Sequence, residues 1–206
     1  MLLYKTLRII LKPIIKVLFL TKTINKKYIP QNGPYIISAN HISFLDPLLI
    51  ALAVKTPITF LAKKELFDNP FLGFILRKIG AVPISRDGSD ISALRVALKQ
   101  LKENKVIAIF PQGTRIKDKE AAKEQAFGGL GLMMGMAKVP VLPVGIYNKK
   151  KKIHPFSRNT IIFGEVTFPL EYDGTMEKTD FYRNMSFDTF QKSVDLLEKY
   201  KQTKEK

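Results

Sequence analysis

Short β-branched runs alternate with stretches of helical spacing through most of the chain. "YIISA" (35–39) precedes a helical pattern over 46–54, "ITFLA" (58–62) one over 69–79, and "AVPIS" (81–85) one over 89–103. "VIAIF" (106–110) precedes another over roughly 120–137, after which come "VPVLPVGIY" (139–147), the strand "TIIFGEVTF" (160–168) and an amphipathic helix near 186–200. Alternation of this kind predicts a single α/β domain with a mostly parallel, mixed sheet flanked by helices. The helix over 89–103 is the most sharply defined. Ser89 or Asp90 can cap it, and Ile91, Leu94, Leu98 and Leu101 line one face. The closing "KQTKEK" reads as a frayed tail.

The N-terminal segment has a different pattern. At about 100° per residue, Lys5, Arg8, Lys12 and Lys16 fall on one face of a helix, and Leu3, Leu7, Ile10, Leu11, Ile14, Val17 and Leu18 on the other. Pro13 predicts a kink. Lysines interrupt the segment too often for a bilayer span, and it lacks the unbroken apolar stretch and cleavage site of a signal peptide. The pattern suits a helix lying in a membrane interface, and equally one packed on the domain with its lysines in water. The predicted organisation is an N-terminal membrane-docking helical appendage over 1–30 and a domain over 31–206, whose motif-bearing core runs from 34 to 164.

Composition bears on what that domain binds. The 206 residues are 46% hydrophobic, enough for a real core. Lys and Arg number 34 against 18 Asp and Glu, a net charge of +16, which points to an anionic partner: nucleic acid, anionic lipid or a phosphorylated metabolite. Residues 1 to 45 contain no acidic residue. With no cysteine there is no disulfide framework, thiolate metal site or cysteine nucleophile, and a cytosolic or cytosol-facing protein is expected.

In α/β sheets ligands sit beyond the carboxyl ends of the strands. Asn40-His41 with Asp46 follows "YIISA", Arg86 follows "AVPIS", and "PQGTR" (111–115) follows "VIAIF". A carboxylate that takes the far N–H of an imidazole fixes its tautomer and raises its basicity, as a general base requires. Asp46 is spaced to do this for His41, although H-x4-D also fits a satisfied polar pair at a strand end. No third ligand has metal-site spacing, and His154 lies behind "KKKK" (149–152) in a loop, so no metal is expected. In "FPQGTR", Gly113 admits close backbone approach, Thr114 supplies a hydroxyl and Arg115 a bidentate fork, a set suited to a phosphomonoester. A plain turn with a surface arginine is the other reading, and Arg86 has the same ambiguity. The G-x-x-x-x-G-K pattern of a P-loop is absent, which argues against bound nucleotide. Phe67, Phe71, Phe74 and Ile75, widened by Leu72, Leu76 and Ile79, make the helix of 69–79 apolar over much of its surface. Core is the expected role, with the path of a fatty chain or contact with a bilayer as the alternative.

Taken in order, these blocks resemble the 1-acylglycerol-3-phosphate (lysophosphatidate) acyltransferases of the glycerolipid acyltransferase superfamily. The family's N-H-x4-D block is Asn40, His41 and Asp46; G-x-x-x-I-x-R is Gly80 to Arg86; F-P-E-G-T-R is Phe110 to Arg115; V-P-V-x-P-V is Val139 to Val144. Pro83 stands where the family usually has Phe, and Gln112 where it has Glu, which removes a charge beside the phosphate-binding candidates. The resemblance implies an acyl group passing from an acyl-coenzyme A or acyl-carrier-protein thioester to the hydroxyl of lysophosphatidate, giving phosphatidate. His41 and Asp46 would be catalytic, and Arg86, Gln112, Gly113, Thr114 and Arg115 would bind the acceptor, with no cofactor. It also implies an enzyme on the cytosolic face of an anionic membrane, peripheral or monotopic, with no nucleic acid partner. A sister enzyme acting on glycerol-3-phosphate or another lysolipid, or a non-catalytic membrane-binding module, shares the same blocks.

Overall fold

A computed structural model describes residues 13–78, 80–84, 90–116, 121–126 and 129–205. Seven strands form one sheet: β1 (Thr21–Ile24), β2 (Ile36–Ala39), β3 (Ile58–Lys63), β4 (Ala81–Ile84), β5 (Val106–Ile109), β6 (Val141–Asn148) and β7 (Asn159–Phe163), in the order β1-β7-β6-β2-β5-β3-β4. Every pairing is parallel except β6 with β7. Among the described residues, besides a short helical stretch over 13–18, the helices that connect or cover it are α1 (Asp46–Ala53), α2 (Pro70–Lys78), α3 (Asp90–Lys102), α4 (Gly129–Ala137) and α5 (Lys178–Glu205). The expected α/β architecture with a mixed, mostly parallel sheet is the observed one.

Side-chain alternation along the inner strands divides the core. Tyr35, Ile37 and Ala39 point into a cluster with α1 residues Leu49, Ile50 and Leu52 and with Phe67 and Leu76. Ile36 and Ile107 point the other way, toward Ala97, Leu101, Leu130, Met134 and Phe181. A period of two therefore feeds both faces of the sheet, which is why these runs read as unbroken apolar stretches. Pro83 sits in β4 at the sheet edge, where its missing N–H costs no ladder bond.

Some elements depart from the sequence pattern. The helix expected over 120–137 is a 3-10 turn at Lys123–Gln125 followed by α4. α5 begins well before 186, because its first turns bury Phe181 and Met185. The pattern predicts no strand at Thr21–Ile24, where a half-exposed "TKTI" joins the sheet edge beside β7. Lys5, Arg8 and Lys12, and with them most of the helix expected there, lie outside the described residues. Residues 13–18 are helical; Ile15 within them and Phe19 in the following turn are buried in the core, while Ile14 and Val17 face outward. No helix among the described residues is long and apolar enough to cross a membrane.

α4 and α5 approach so closely that a Cβ on Gly131 would stand 2.2 Å from the Tyr182 carbonyl oxygen. The Gly131 N–H also donates to Ser186 Oγ at 2.7 Å. Gly131→Ala must push backbone against backbone. It is expected to lower stability by about 1–3 kcal/mol, measured as a shift of the urea midpoint at unchanged slope.

Candidate active site

The first loop of the site leaves β2 at its carboxyl end. Asn40, 2% exposed, fastens that end to the neighbouring strand: its Nδ2 donates to the Ile146 carbonyl at 3.0 Å and its Oδ1 accepts the Ile146 N–H at 2.7 Å. The chain then turns into α1, whose first residue is Asp46 with Pro47 behind it, a position where proline's missing N–H is harmless. Asp46 reaches back across the turn. One oxygen, Oδ2, accepts from Ile42 N–H at 2.7 Å, from Ser43 N–H at 2.8 Å and lies 2.7 Å from His41 Nδ1.

Asp46 is fully buried, and burial pushes its carboxyl above the ordinary range. The bond and charge of His41 and the backbone N–H groups of Ser43 and Ile42 pull it back in part. His41 is held on a second side by its ring, which stacks on Phe110 with centroids 4.1 Å apart and planes 20° apart. Its side chain remains 17% exposed, so the ring can be reached from solvent. A carboxylate that accepts from Nδ1–H leaves the lone pair on Nε2, and the imidazole is thereby set up to receive a proton.

The second loop leaves β5. Gln112 is 3% exposed and bonded on both sides. Its Oε1 accepts the His41 N–H at 2.8 Å and its Nε2 donates to Gln125 Oε1. It therefore braces the histidine loop from within, whereas its motif groups it with the residues that meet the acceptor. The Ile116 N–H adds a further tie to the His41 carbonyl at 2.8 Å. Gly113 adopts φ 65° and its N–H closes onto the Phe110 carbonyl at 2.9 Å, so what glycine supplies here is the turn itself. Thr114 and Arg115 are exposed beyond that turn, and the Arg115 guanidinium lies 6.0 Å from the centre of the Phe44 ring. The fold thus brings His41, Asp46, Gln112, Gly113, Thr114 and Arg115 to one rim. Arg86 lies outside the described residues. His154 sits in the loop after β6, its Nδ1 3.0 Å from the Pro155 carbonyl oxygen.

Two supports had no clear signal in the sequence. Phe110 belongs to a legible block, yet nothing in its spacing shows that it forms a shelf under the imidazole. Gln125 lies in a stretch whose pattern suggests helix, and its partnership with Gln112 exists only after folding.

Fold and site together define an α/β domain carrying a histidine–carboxylate pair at the carboxyl edge of its sheet. The family model described as Acyltransferase matches residues 21–147. The chain belongs to that acyltransferase family. It is 29% identical over 147 residues to the 1-acyl-sn-glycerol-3-phosphate acyltransferase of Bacillus subtilis, covering 70% of this chain and 72% of that one. It is 37% identical over 116 residues to the enzyme of the same name from Streptococcus pneumoniae, covering 55% of this chain and 42% of that one. The crystal structure of the 1-acyl-sn-glycerophosphate (LPA) acyltransferase, PlsC, from Thermotoga maritima superposes with a TM-score of 0.62 over 91% of this chain and 81% of that one. At 21% identity it shows the shared fold.

Because one oxygen of Asp46 satisfies two buried backbone N–H groups, its removal strands both. Asp46→Ala is expected to cost about 2–5 kcal/mol of stability in urea unfolding. Asp46→Asn, whose amide oxygen can take the same three donors, is expected to cost clearly less.

Proposed function

We propose that this chain transfers a fatty acyl group from an acyl thioester, carried by coenzyme A or acyl carrier protein, to the free hydroxyl of a 1-acylglycerol-3-phosphate. The observation that carries this reading is the His41–Asp46 pair, fixed by three hydrogen bonds to a single buried oxygen in a chain of the acyltransferase family. The names of the relatives supply the acceptor.

In this mechanism His41 Nε2 takes the hydroxyl proton as the oxygen attacks the thioester carbonyl. The tetrahedral intermediate collapses with cleavage of the carbon–sulfur bond, and the imidazolium returns its proton to the departing thiolate. Ester and free thiol are the products, no acyl-enzyme forms, and the histidine is restored. Asp46 holds the ring through Nδ1 and stabilises the imidazolium, while Phe110 keeps its plane from swinging. General base catalysis of this kind typically contributes about 10²–10⁴-fold.

Arg115, exposed past the Gly113 turn, would bind the acceptor phosphate, with Thr114 beside it and Arg86 as a further cation. Fixing the phosphate there fixes the hydroxyl relative to His41, and positioning adds to what the base supplies. Gln112 contributes indirectly by holding the His41 backbone. The basic amphipathic N-terminal segment would keep the enzyme on an anionic membrane surface facing the cytosol, where the acceptor resides.

His41→Ala is expected to lower turnover by about 10³-fold or more with an unchanged circular dichroism spectrum, and His154→Ala to stay near wild type. An active His41→Ala protein would refute the assignment. Arg115→Lys retains charge but loses the bidentate fork. It should raise KM for lysophosphatidate by about tenfold and leave that for the thioester nearly unchanged. Equal effects on both substrates would place Arg115 away from the phosphate.

A further inference from the structure

The apolar pattern of α2 predicts a core helix, and its outer face is not core. Phe71 is 76% exposed, Phe74 59% and Ile75 39%, and at helical spacing these three share one arc with Lys78. Two glycines and one leucine fix the arc outward. A Cβ on Gly73 would stand 2.6 Å from the Phe67 carbonyl oxygen, so the helix rests directly on the turn before it. Leu76 is buried in the core, and Gly80 follows the helix at φ 82° with no room for a side chain beside Ile58. The Asn69 side chain caps the first turn through the Leu72 N–H at 2.9 Å. The apolar stripe is therefore displayed by a pinned helix.

Charge and placement identify what it meets. α2 contains Arg77 and Lys78 and no acidic residue, and the Lys78 ammonium lies 5.3 Å from the centre of the Phe74 ring. Lys63 and Lys64, both exposed, sit where β3 ends. Glu65 and Asp68 belong to the turn ahead of the helix and lie outside the arc. β3 is the parallel neighbour of β5, whose carboxyl end carries the Gly113–Arg115 turn, so α2 starts from the rim that holds the site. It also packs into the same core cluster as α1 and the 13–18 helix, whose Ile14 and Val17 face outward as well.

We infer that α2 is a second membrane-contact element, which inserts Phe71, Phe74 and Ile75 into the interface of an anionic lipid surface with Lys78 at headgroup level. Aromatic and aliphatic side chains next to lysine, without acid, match a surface that is apolar within and negative outside. The inference rests on the proposed function, in that an acceptor residing in the bilayer requires the rim of the site to face lipid. With contacts at both the N-terminal segment and α2, the enzyme would be oriented as well as attached.

The chain has no tryptophan, which allows a direct test. Phe71→Trp in the full chain should shift its emission to shorter wavelength on addition of phosphatidylglycerol vesicles and be quenched by lipids brominated in the acyl chains. Phe168→Trp, 70% exposed beside the bridge between Thr167 and the amino end of β6, should do neither. The triple variant F71S/F74S/I75S should bind those vesicles about tenfold or more weakly in sedimentation, since three apolar side chains are lost from the interface. Its turnover of long-chain lysophosphatidate in vesicles should fall in step, while turnover of a short-chain, water-soluble lysophosphatidate stays at the wild-type rate. Wild-type vesicle binding by the triple variant, or an unshifted emission spectrum of the Phe71→Trp protein, would overturn the inference. Failure of the wild-type protein to acylate either acceptor would instead refute the proposed function, and the binding and fluorescence readouts would still judge α2.

Discussion

One carboxylate oxygen organises the candidate active site. Asp46 Oδ2 collects the His41 ring nitrogen and the backbone N–H groups of Ile42 and Ser43, all within 2.8 Å. Each donor would be costly to leave unpaired, and the carboxyl would be costly to bury alone. The three donors are satisfied on Oδ2 while Oδ1 stays buried without a hydrogen-bond partner among the described residues, so the imidazole and the turn between β2 and α1 are held through that one oxygen. The place at the first residue of α1 also suits a negative charge, because the helix N-terminus offers positive potential there.

The rest of the sheet serves this turn from behind. Asn40 ties its upstream end to β6, and Gln112 ties the His41 backbone to the loop after β5. β6 and β5 are the two strands that flank β2, so the histidine loop is anchored to both neighbours of its own strand. Gln112 makes this bracing neutral: its amide accepts from one side and donates to the other, toward Gln125. A glutamate there could accept from His41 equally well but could not donate to Gln125 Oε1. Choosing glutamine over the family's glutamate is thus matched by a local partner, and it leaves Arg115 without a carboxylate of its own loop at that position.

Surface chemistry follows from the same topology. Successive crossovers from β2 to β3 and from β3 to β4 place α1 and α2 on one side of the sheet, where the helical stretch over 13–18 also packs. Outward-facing apolar side chains occur on that layer at Ile14, Val17, Phe71, Phe74 and Ile75. The chain as a whole carries a net charge of +16, which favours approach to anionic partners.

The strands, helices and order of the α/β domain were legible in the sequence because periodicity is a local property, carried by residues next to one another in the chain. That His41, Asp46 and the 112–115 stretch would share one rim was legible for a related reason: they follow strands, and parallel strands deliver their carboxyl ends to one edge. What lay beyond the sequence was set by partners distant in the chain. "TKTI" becomes a strand only because β7 offers an edge, and α5 extends to Lys178 only because α4 offers an apolar face. The apolar residues of α2 read as core, since composition cannot tell which arc a helix will turn inward; contact at Gly73 and Leu76 decided that. Likewise Gln112 stands in one motif with Arg115 and reads as its companion, yet the turn at Gly113 separates the two. Tertiary structure sent Arg115 to solvent and Gln112 into the frame that holds His41.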